Sequence, residues 1–502
     1  MPSESSAQLP APRVGLPSLR GDPGGGGMTA SATVDPVGLL TPQQIVDAAL
    51  AASVADGCVV VVNSSNSANI RWANNTVTTN GVTVDLSWFV VAAVDGAAAT
   101  VAGSASDAAS AGSVAAVVSA AHAAAVASAR LGPARDAQPL VEPGTAASDD
   151  FADGPGQASF AVFDSLVDGL ADGFGAARSA DRVLYGFAEH DITTTYLGSS
   201  TGLRLRWVQP TGTLEVNAKS ADLRRSAWSG VSTPDFAGVD LAAVLAPLNR
   251  RLDWAKRTVE LPPGRYRTVL PPTAVADFMI TMAWNAGARE AHEGRSAFAA
   301  PGGGTRSGER LTNLKLSMFS DPALPGLAAA PFLVAGYSSD DISVFDNGAT
   351  IGRHDFVADG VIGSLLHTRG SAAEFDEPFT PSADNLVLTG GAADRDIDAL
   401  VADVDRGLLL TSQWYIREVD PMTLLLTGLT RDGVFLVEGG EVVGAVNNFR
   451  FNMSPLDVLR QAADVGATVP TLSREWSDWF TRTAMPPITV DGFNMSSVSQ
   501  AT

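Results

Sequence analysis

The residues whose types and spacing come closest to a catalytic pattern are His292 and Glu293, within segment 289–298 (REAHEGRSAF). In zinc peptidases a helix carries His-Glu and a second His four or five residues after the first. Two imidazoles then reach one Zn²⁺, and the Glu polarises the bound water. Positions 296 and 297 are Ser296 and Ala297. The sequence therefore predicts no metal site on this helix and no catalytic residue; His292 and Glu293 are the candidates if the helix has one.

The remaining histidines and the cysteine do not complete such a site from sequence alone. His354 and His367 lie in later segments and His190 follows Glu189 in a predicted turn; we interpret all three as structural hydrogen-bonding residues. Cys58 is the only cysteine and precedes an apolar run, which predicts a buried core residue and excludes an intrachain disulfide. A remote His joining His292 and Glu293 stays open as an alternative.

A second class of candidates are residues that would bind a peptide or a partner surface. Arg431-Asp432-Gly433 separates two predicted strands, where it is either a binding loop or a surface ion pair in a turn. The other candidates are Arg295, Ser296 and Arg306 in the loop after His-Glu, and the aromatic pair Trp414 and Tyr415. A polar loop without a ligand is the alternative for the first three.

Charge and composition narrow the classes of partner. Lys+Arg of 33 against Asp+Glu of 54 gives a net charge of −21. That charge opposes binding to phosphate backbones and anionic membrane surfaces, so we expect no nucleic acid and no membrane partner. The alanine-rich segment 105–129 is interrupted by Asp107 and several serines, and the N-terminus lacks the apolar core of a secretory signal. We therefore expect a cytoplasmic protein.

The elements that must position these residues predict an α+β fold of two domains. Thr41-Pro42 starts a helix, segments 58–63, 69–74 and 81–95 are strand-like, and 107–129 is helical. After a boundary near 259–269 come a strong helix over 273–291, strands 434–437 and 441–446 around Gly439-Gly440, and a helix over 454–465. We expect an N-terminal α/β-type domain with a mixed sheet and a C-terminal, mainly antiparallel β domain with flanking helices.

The predicted division of the chain follows from these elements and from composition. Residues 1–38 form a disordered extension in which Met28 is a possible alternative start, 39–260 and 261–475 form the two domains, and 476–502 form an irregular tail.

Several short motifs together are family-specific. In chain order they are Gly407-Leu408-Leu409, Trp414-Tyr415, Asp420-Pro421, Leu426-Thr427-Gly428, Thr430-Arg431-Asp432-Gly433 and Val443-Gly444. The pattern resembles the C-terminal domain of the TldD/PmbA family, intracellular proteins once called modulators of DNA gyrase, which include both subunits of the TldD/TldE peptidase. The likeness continues through 347–359 (NGATIGRHDFVAD) and 360–370 (GVIGSLLHTRG), and more loosely through 196–202 (YLGSSTG) and 69–81 (NIRWANNTVTTNG).

The resemblance also implies a subunit type. Segment 292–308 (HEGRSAFAAPGGGTRSG) is similar to the PmbA/TldE-type chain, in which a Gly-Arg-Ser-Phe-like run replaces the metal motif. The cysteine ligand of TldD-type chains has no counterpart, because Cys58 is the sole cysteine. The implied function is a metal-free subunit of an intracellular peptidase for small or unfolded peptides and peptide maturation, with zinc in a HExxxH-bearing partner. Two alternatives stay open: a self-sufficient metallopeptidase using His292, Glu293 and a remote His, and a non-catalytic scaffold or binding protein.

Overall fold

The computed structural model of the chain describes residues 38–144, 148–431 and 433–499. The predicted disordered extension with Met28, apart from its last residue, and the candidate residue Asp432 lie outside the described residues.

The N-terminal domain is one sheet with helices on a single face. Its elements are α1 (Pro42–Ala52), β1 (Gly57–Ala73), β2 (Thr76–Val94), β3 (Ala97–Gly103), α2 (Ala111–Ala129), α3 (Asp164–Ser179), β4 (Arg182–Ser199), β5 (Arg204–Ser220), β6 (Ser226–Thr233) and α4 (Leu241–Trp254). Among the described residues the strand order is β3-β2-β1-β4-β5-β6, and every pair is antiparallel. The expectation of a mixed sheet in this domain is therefore wrong. Its strands are connected by hairpins and antiparallel crossings and not by βαβ units.

Side chains along β1 alternate between the two faces of the sheet, and each face packs against a different part of the protein. Cys58, Val60 and Val62 pack against α1 and α2 on one face. Val59 and Val61 point to the opposite face, where they meet Phe332 and neighbouring apolar side chains of the C-terminal domain. Because successive side chains of a strand point to opposite faces, this end of β1 is buried on both sides.

The C-terminal domain contains two further sheets around one apolar core. Its elements are β7 (Thr258–Val259), β8 (Gly264–Leu270), α5 (Pro272–Trp284), α6 (Ala288–His292), β9 (Ser317–Ser320), β10 (His354–Ala358), β11 (Val361–Ile362), α7 (Arg369–Phe375), β12 (Leu386–Thr389), α8 (Ile397–Ala402), β13 (Arg406–Leu410), β14 (Gln413–Asp420), β15 (Leu425–Thr430), β16 (Val434–Glu438), β17 (Glu441–Val446), β18 (Phe449–Met453), α9 (Pro455–Arg460), β19 (Ala462–Val465), β20 (Val469–Thr471), β21 (Thr483–Met485) and β22 (Ile488–Val498).

In the described part of the chain, the smaller of these sheets has the order β11-β10-β9-β12-β21-β20 and the larger β14-β15-β18-β22-β8-β13-β16-β17-β7, with β19 beside β22. Parallel pairs occur here, between β12 and β21, β13 and β8, and β17 and β7. The buried helix α5 and the apolar side chains of both sheets form the core. The α+β fold with two domains is confirmed.

Three expectations about this domain are wrong. The helix expected over 454–465 ends at Arg460, because Ala462–Val465 form strand β19 beside β22. The helix over 273–291 is interrupted between Trp284 and Ala288, where the backbone pairs with the chain at Leu366: Leu366 N–H donates to Ala286 O (2.8 Å) and Ala288 N–H to Leu366 O (2.9 Å). The tail after 476 is not irregular, because β22 lies inside the larger sheet between β18 and β8. Its Ile488, Val490, Phe493 and Met495 belong to the core, so tertiary burial outweighs the weak local signal.

Candidate functional site

The break between α5 and α6 places His292 among aromatic side chains. Its imidazole stacks on the Phe375 ring of α7, with ring centres 4.1 Å apart and planes within 5°. The His367 ring lies 5.9 Å from it. The structure thus brings the candidate His292 close to a histidine that is remote from it in the sequence. His292 Nε2 is buried and has no hydrogen-bond partner among the described residues.

The neighbouring imidazoles are held in their neutral form. Burial, helped by the nearby His292 and Arg289, lowers the pKa of His367 to about 4. Its Nδ1 lies 3.1 Å from Ser371 Oγ. Burial likewise lowers the pKa of His354 to about 4. Neutral imidazoles can bind metals or accept protons, so the surrounding groups decide what this cluster can do.

The Glu293 side chain takes part in ion pairs. Its carboxylate is 2.6 Å from Arg295 and 2.6 Å from Arg135, which comes from the segment between α2 and α3. Arg295 and Arg135 together lower the pKa of Glu293. Arg135 also contacts Glu374 at 2.9 Å, and Arg295 contacts Asp340 at 2.7 Å. These five side chains, the Glu293 network, tie the N-terminal domain to the surface beside α6.

The side chains around His292 do not fit a catalytic zinc ion. Three protein ligands are the usual set for such an ion. In the described parts of the chain no group of three or more His, Cys, Asp or Glu side chains is arranged to hold a metal. At the position where a second ligand would stand, the Ser296 hydroxyl accepts a hydrogen bond from Phe298 N–H (3.3 Å), and Ala297 offers no donor atom.

The other candidates in this loop serve its own conformation. Arg306 binds both carboxylate oxygens of Glu309 at 2.6 Å and donates to Ala297 O at 2.8 Å. The bidentate geometry fixes the guanidinium in place. Arg295 belongs to the Glu293 network, and Ser296 is buried. A direct role of these three residues in binding stays a prediction.

Trp414 and Tyr415 lie where the two domains meet. Trp414 packs against Arg474, whose guanidinium lies 3.9 Å from the Trp414 ring centre and 4.8 Å from that of Trp228 on β6. Arg431 approaches the same Trp414 ring at 5.9 Å. Tyr415 is more than half exposed and has a positive φ of 52°. Such stacking of a cation between aromatic rings stabilises an interface and does not itself indicate a ligand.

Segment 473–475, which builds this contact, is not among the site residues predicted from the sequence. Asp277, in the middle of α5, accepts hydrogen bonds from the N–H groups of Arg474 and Glu475, each at 2.9 Å. Burial raises the pKa of Asp277 to about 8. Glu475 in turn accepts from the N–H groups of Tyr415 and Ile416 at 3.0 Å. An acid amid the apolar residues of a predicted core helix was the available signal.

The first half of β2 is the other surface with functional potential. Beyond Trp88, where β3 ends its pairing, no described strand covers its outer edge. Residues 76–80 and 82–85 are exposed, and Val82 and Val84 each retain about half their surface (52% and 51%). Segment 76–86 (TVTTNGVTVDL) contains only one charged residue, Asp85. Unpaired backbone and β-branched side chains on an edge favour pairing with another strand.

Comparisons with known proteins bear on the whole chain. Residues 263–497 match the family described as PmbA/TldA metallopeptidase C-terminal domain. The fold is similar to that of TldE from Thermococcus kodakarensis, with a TM-score of 0.71 and 14% identity over 90% of this chain and 99% of that one.

Two bacterial proteins named as candidate modulators of DNA gyrase are similar to it as well. The one from Bacteroides thetaiotaomicron has a TM-score of 0.70 and 15% identity over 91% of this chain and 98% of that one. The one from Thermotoga maritima has 0.67 and 16% over 87% and 95%. At these identities the likeness shows the fold alone. No curated protein matches the chain.

Proposed function

We propose, from the premise that this chain is a member of the TldD/PmbA family through its matched C-terminal domain and its fold, that it is the metal-free subunit of a cytoplasmic two-chain peptidase. A HExxxH-bearing partner holds the zinc and performs hydrolysis of small or unfolded peptides. This chain contributes architecture and substrate binding, and no catalytic residue.

The observation that supports the proposal most directly is that the Glu293 carboxylate is occupied by two ion pairs. A carboxylate that activates a metal-bound water must reach that water with a free oxygen. In this chain Arg135 and Arg295 both lie within 2.6 Å of the Glu293 carboxylate, and they lower its pKa, which weakens it as a base. Ser296 and Ala297 replace the second ligand. The family's metal position therefore serves here as a contact between domains.

The uncovered edge of β2 supports the partnership. A partner strand added there would satisfy the backbone groups of segment 76–86 and would cover Val82 and Val84. The net charge of −21 makes the chain as a whole repel an acidic partner. This edge has almost no charge, so the repulsion is weaker here. We assign this edge to the HExxxH-bearing chain.

The test is co-expression of a tagged form of this chain with the HExxxH-bearing chain of the same genome. Val82→Lys with Val84→Lys places two cations on the proposed interface. Val54→Lys, at a valine 77% exposed beyond α1, is the matched control. We expect the double variant to lose the partner and the peptidase activity of the complex, while Val54→Lys retains both. Unchanged complex formation by the double variant would remove β2 as the interface, and no complex with the wild-type chain would overturn the proposal.

One observation favours a second candidate, a self-sufficient metallopeptidase. His292 and His367 lie side by side, and His292 Nε2 has no hydrogen-bond partner among the described residues. For this pair to bind a metal, Phe375 would have to leave its stacked position on His292. Stoichiometric zinc in the isolated chain would support this candidate. A non-catalytic scaffold would instead show neither zinc nor partner-dependent peptidase activity.

A further inference from the structure

A cavity of about 310 Å³ lies between the two domains, and its lining includes Leu366, whose backbone pairs with Ala288 of α6. One wall is the outer face of the first sheet, with Thr193 and Thr195 of β4 and Trp207 of β5. The facing wall consists of apolar side chains of the C-terminal domain, among them Phe332 and Ile351. Its volume is near the lower end of the roughly 300–1,000 Å³ of ligand pockets, and domain interfaces are frequent places for them.

The polar groups on the sheet wall are already paired with one another or with the sheet. The Thr193 hydroxyl lies 2.8 Å from that of Ser65, and Thr195 donates to Asn63 at 2.8 Å. Trp207 Nε1 donates to Gln209 Oε1 at 2.9 Å. These walls therefore recognise an occupant mainly by apolar and aromatic contact, because their hydrogen-bonding groups are satisfied without it.

One end of the cavity is charged. Arg482 forms an ion pair with the Asp384 carboxylate, donates to Asp384 O at 3.0 Å and to Thr211 Oγ1 at 2.9 Å. Asp384 lines the cavity and retains about a third (34%) of its side-chain surface. A carboxylate has about four acceptor positions, so Asp384 can accept a further N–H while it remains paired with Arg482.

The cavity adjoins the position where catalytic members of the family would carry their metal motif. Leu366 lines it and immediately precedes His367, which contacts His292. Pro381 lines both this cavity and a second one beside His354. A side chain bound here would thus leave its peptide backbone close to the α6 surface.

We propose that this cavity binds one large apolar side chain of a peptide, with a preference for an aromatic ring, while Asp384 accepts a backbone N–H. The peptide nature of the ligand rests on the proposed function. The apolar and aromatic preference rests on the walls, because aromatic rings pack favourably edge-to-face or offset against rings such as those of Trp207 and Phe332.

Binding of two small probes to the isolated chain tests the proposal. The probes are N-acetylphenylalanine amide and N-acetylalanine amide, used as competitors of the fluorinated analogue N-acetyl-4-fluorophenylalanine amide, which is observed by fluorine NMR. Removing one methylene from a hydrophobic contact changes affinity by roughly tenfold or more, so the phenylalanine probe should compete at least about tenfold better. Equal competition by both probes, or no saturable binding of the fluorinated one, would overturn the proposal.

Variants then locate the binding. Ala330→Phe fills the cavity from its wall, and Ala323→Phe places the same ring at an exposed position of the same segment outside the lining. Ala330→Phe should weaken the fluorinated probe by about tenfold or more, and Ala323→Phe should not. If Ala330→Phe does not fold, as judged by thermal unfolding, Ser382→Leu narrows the same cavity and decides the matter. Unchanged binding in the folded cavity-filling variant would contradict the assignment.

The two proposals fail separately. Probe binding is measured on the chain alone, whereas the proposed function requires the HExxxH-bearing chain. A lone chain that binds the phenylalanine probe but forms no complex would refute the subunit proposal and leave the cavity assignment intact. A chain that forms an active complex but shows no side-chain preference would do the reverse.

Discussion

Replacing Glu293 with Gln tests whether this residue acts as a general base or only as a member of the Glu293 network. Arg135 and Arg295 retain 54% and 49% of their side-chain surface, and Glu293 retains 28%. Ion pairs this accessible to water contribute little each, so we expect Glu293→Gln to lower the free energy of unfolding by on the order of 1 kcal/mol. Loss of a general base would instead lower the rate by roughly 10²–10⁴-fold. We expect activity of the two-chain complex within about twofold of wild type.

The assay pairs urea unfolding of the lone chain with peptidase activity of the complex. Glu309→Gln is the matched control, since Glu309 is also ion-paired with an arginine but lies in the following loop. Because Arg295 and Arg135 lower the pKa of Glu293, its contribution is complete above the ordinary carboxyl value near 4.5 and is lost as pH falls through the lowered value. A hundredfold loss of activity at unchanged stability would show instead that Glu293 acts as a base.

Three further predictions follow from buried or paired groups. Burial raises the pKa of Asp277 to about 8, so the free energy of unfolding of the wild type should fall as pH rises from about 4 to about 8. In urea unfolding this fall is at most about 4 kcal/mol between pH 5 and pH 8, and Asp277→Asn should abolish it. Equal pH slopes for the wild type and Asp277→Asn would contradict this prediction. His354 and His367, with pKa values lowered to about 4, should show no imidazole titration in NMR spectra between pH 8 and 5.5. A titration midpoint near 6.5 would show that these imidazoles are solvated. Their contribution to stability is lost as pH falls from 6.5 toward 4. Arg306→Ala should lower stability by roughly 1–3 kcal/mol in urea unfolding without weakening the complex; the reverse result would make Arg306 a partner contact.

Local signals predicted the parts of the fold that depend on a few neighbouring residues. Gly439 and Gly440 both have positive φ, 58° and 80°, and join β16 to β17 as the sequence predicts. Thr41 caps α1 and Pro42 occupies its first turn, again as predicted. Such features require little information beyond four or five residues, which is why they could be predicted.

The helix break and the last strand required tertiary information. Ala288 and Ala291 are buried and continue the apolar spacing of α5, so the pattern gave no sign that pairing with Leu366 interrupts the helix. β22 contains Asp491 and Gly492 between its apolar residues, which weakens its local strand signal. Its place inside the larger sheet follows from pairing with β8 and β18, far away in sequence.

The sequence predicts that the candidate site lacks a second metal ligand, but it does not predict which side chains contact one another there. Ser296 and Ala297 stand in the sequence where a second ligand would be, and they predict a helix without a metal site. The pairing of Glu293 with Arg135 joins residues of different domains, and no local pattern indicates it. The cavity beside Trp207 likewise forms only where one sheet face meets the loops of the other domain.

As the metal-free subunit of a two-chain peptidase, this chain should bind no zinc by itself and should join a zinc-bearing partner. Native mass spectrometry combined with metal analysis, on the chain purified alone and co-expressed with the HExxxH-bearing chain, tests it most directly. We expect a lone chain without zinc, and a heteromer that carries one zinc per partner chain. Stoichiometric zinc in the lone chain, lost in His292→Ala, would contradict it and make this chain a metallopeptidase in its own right.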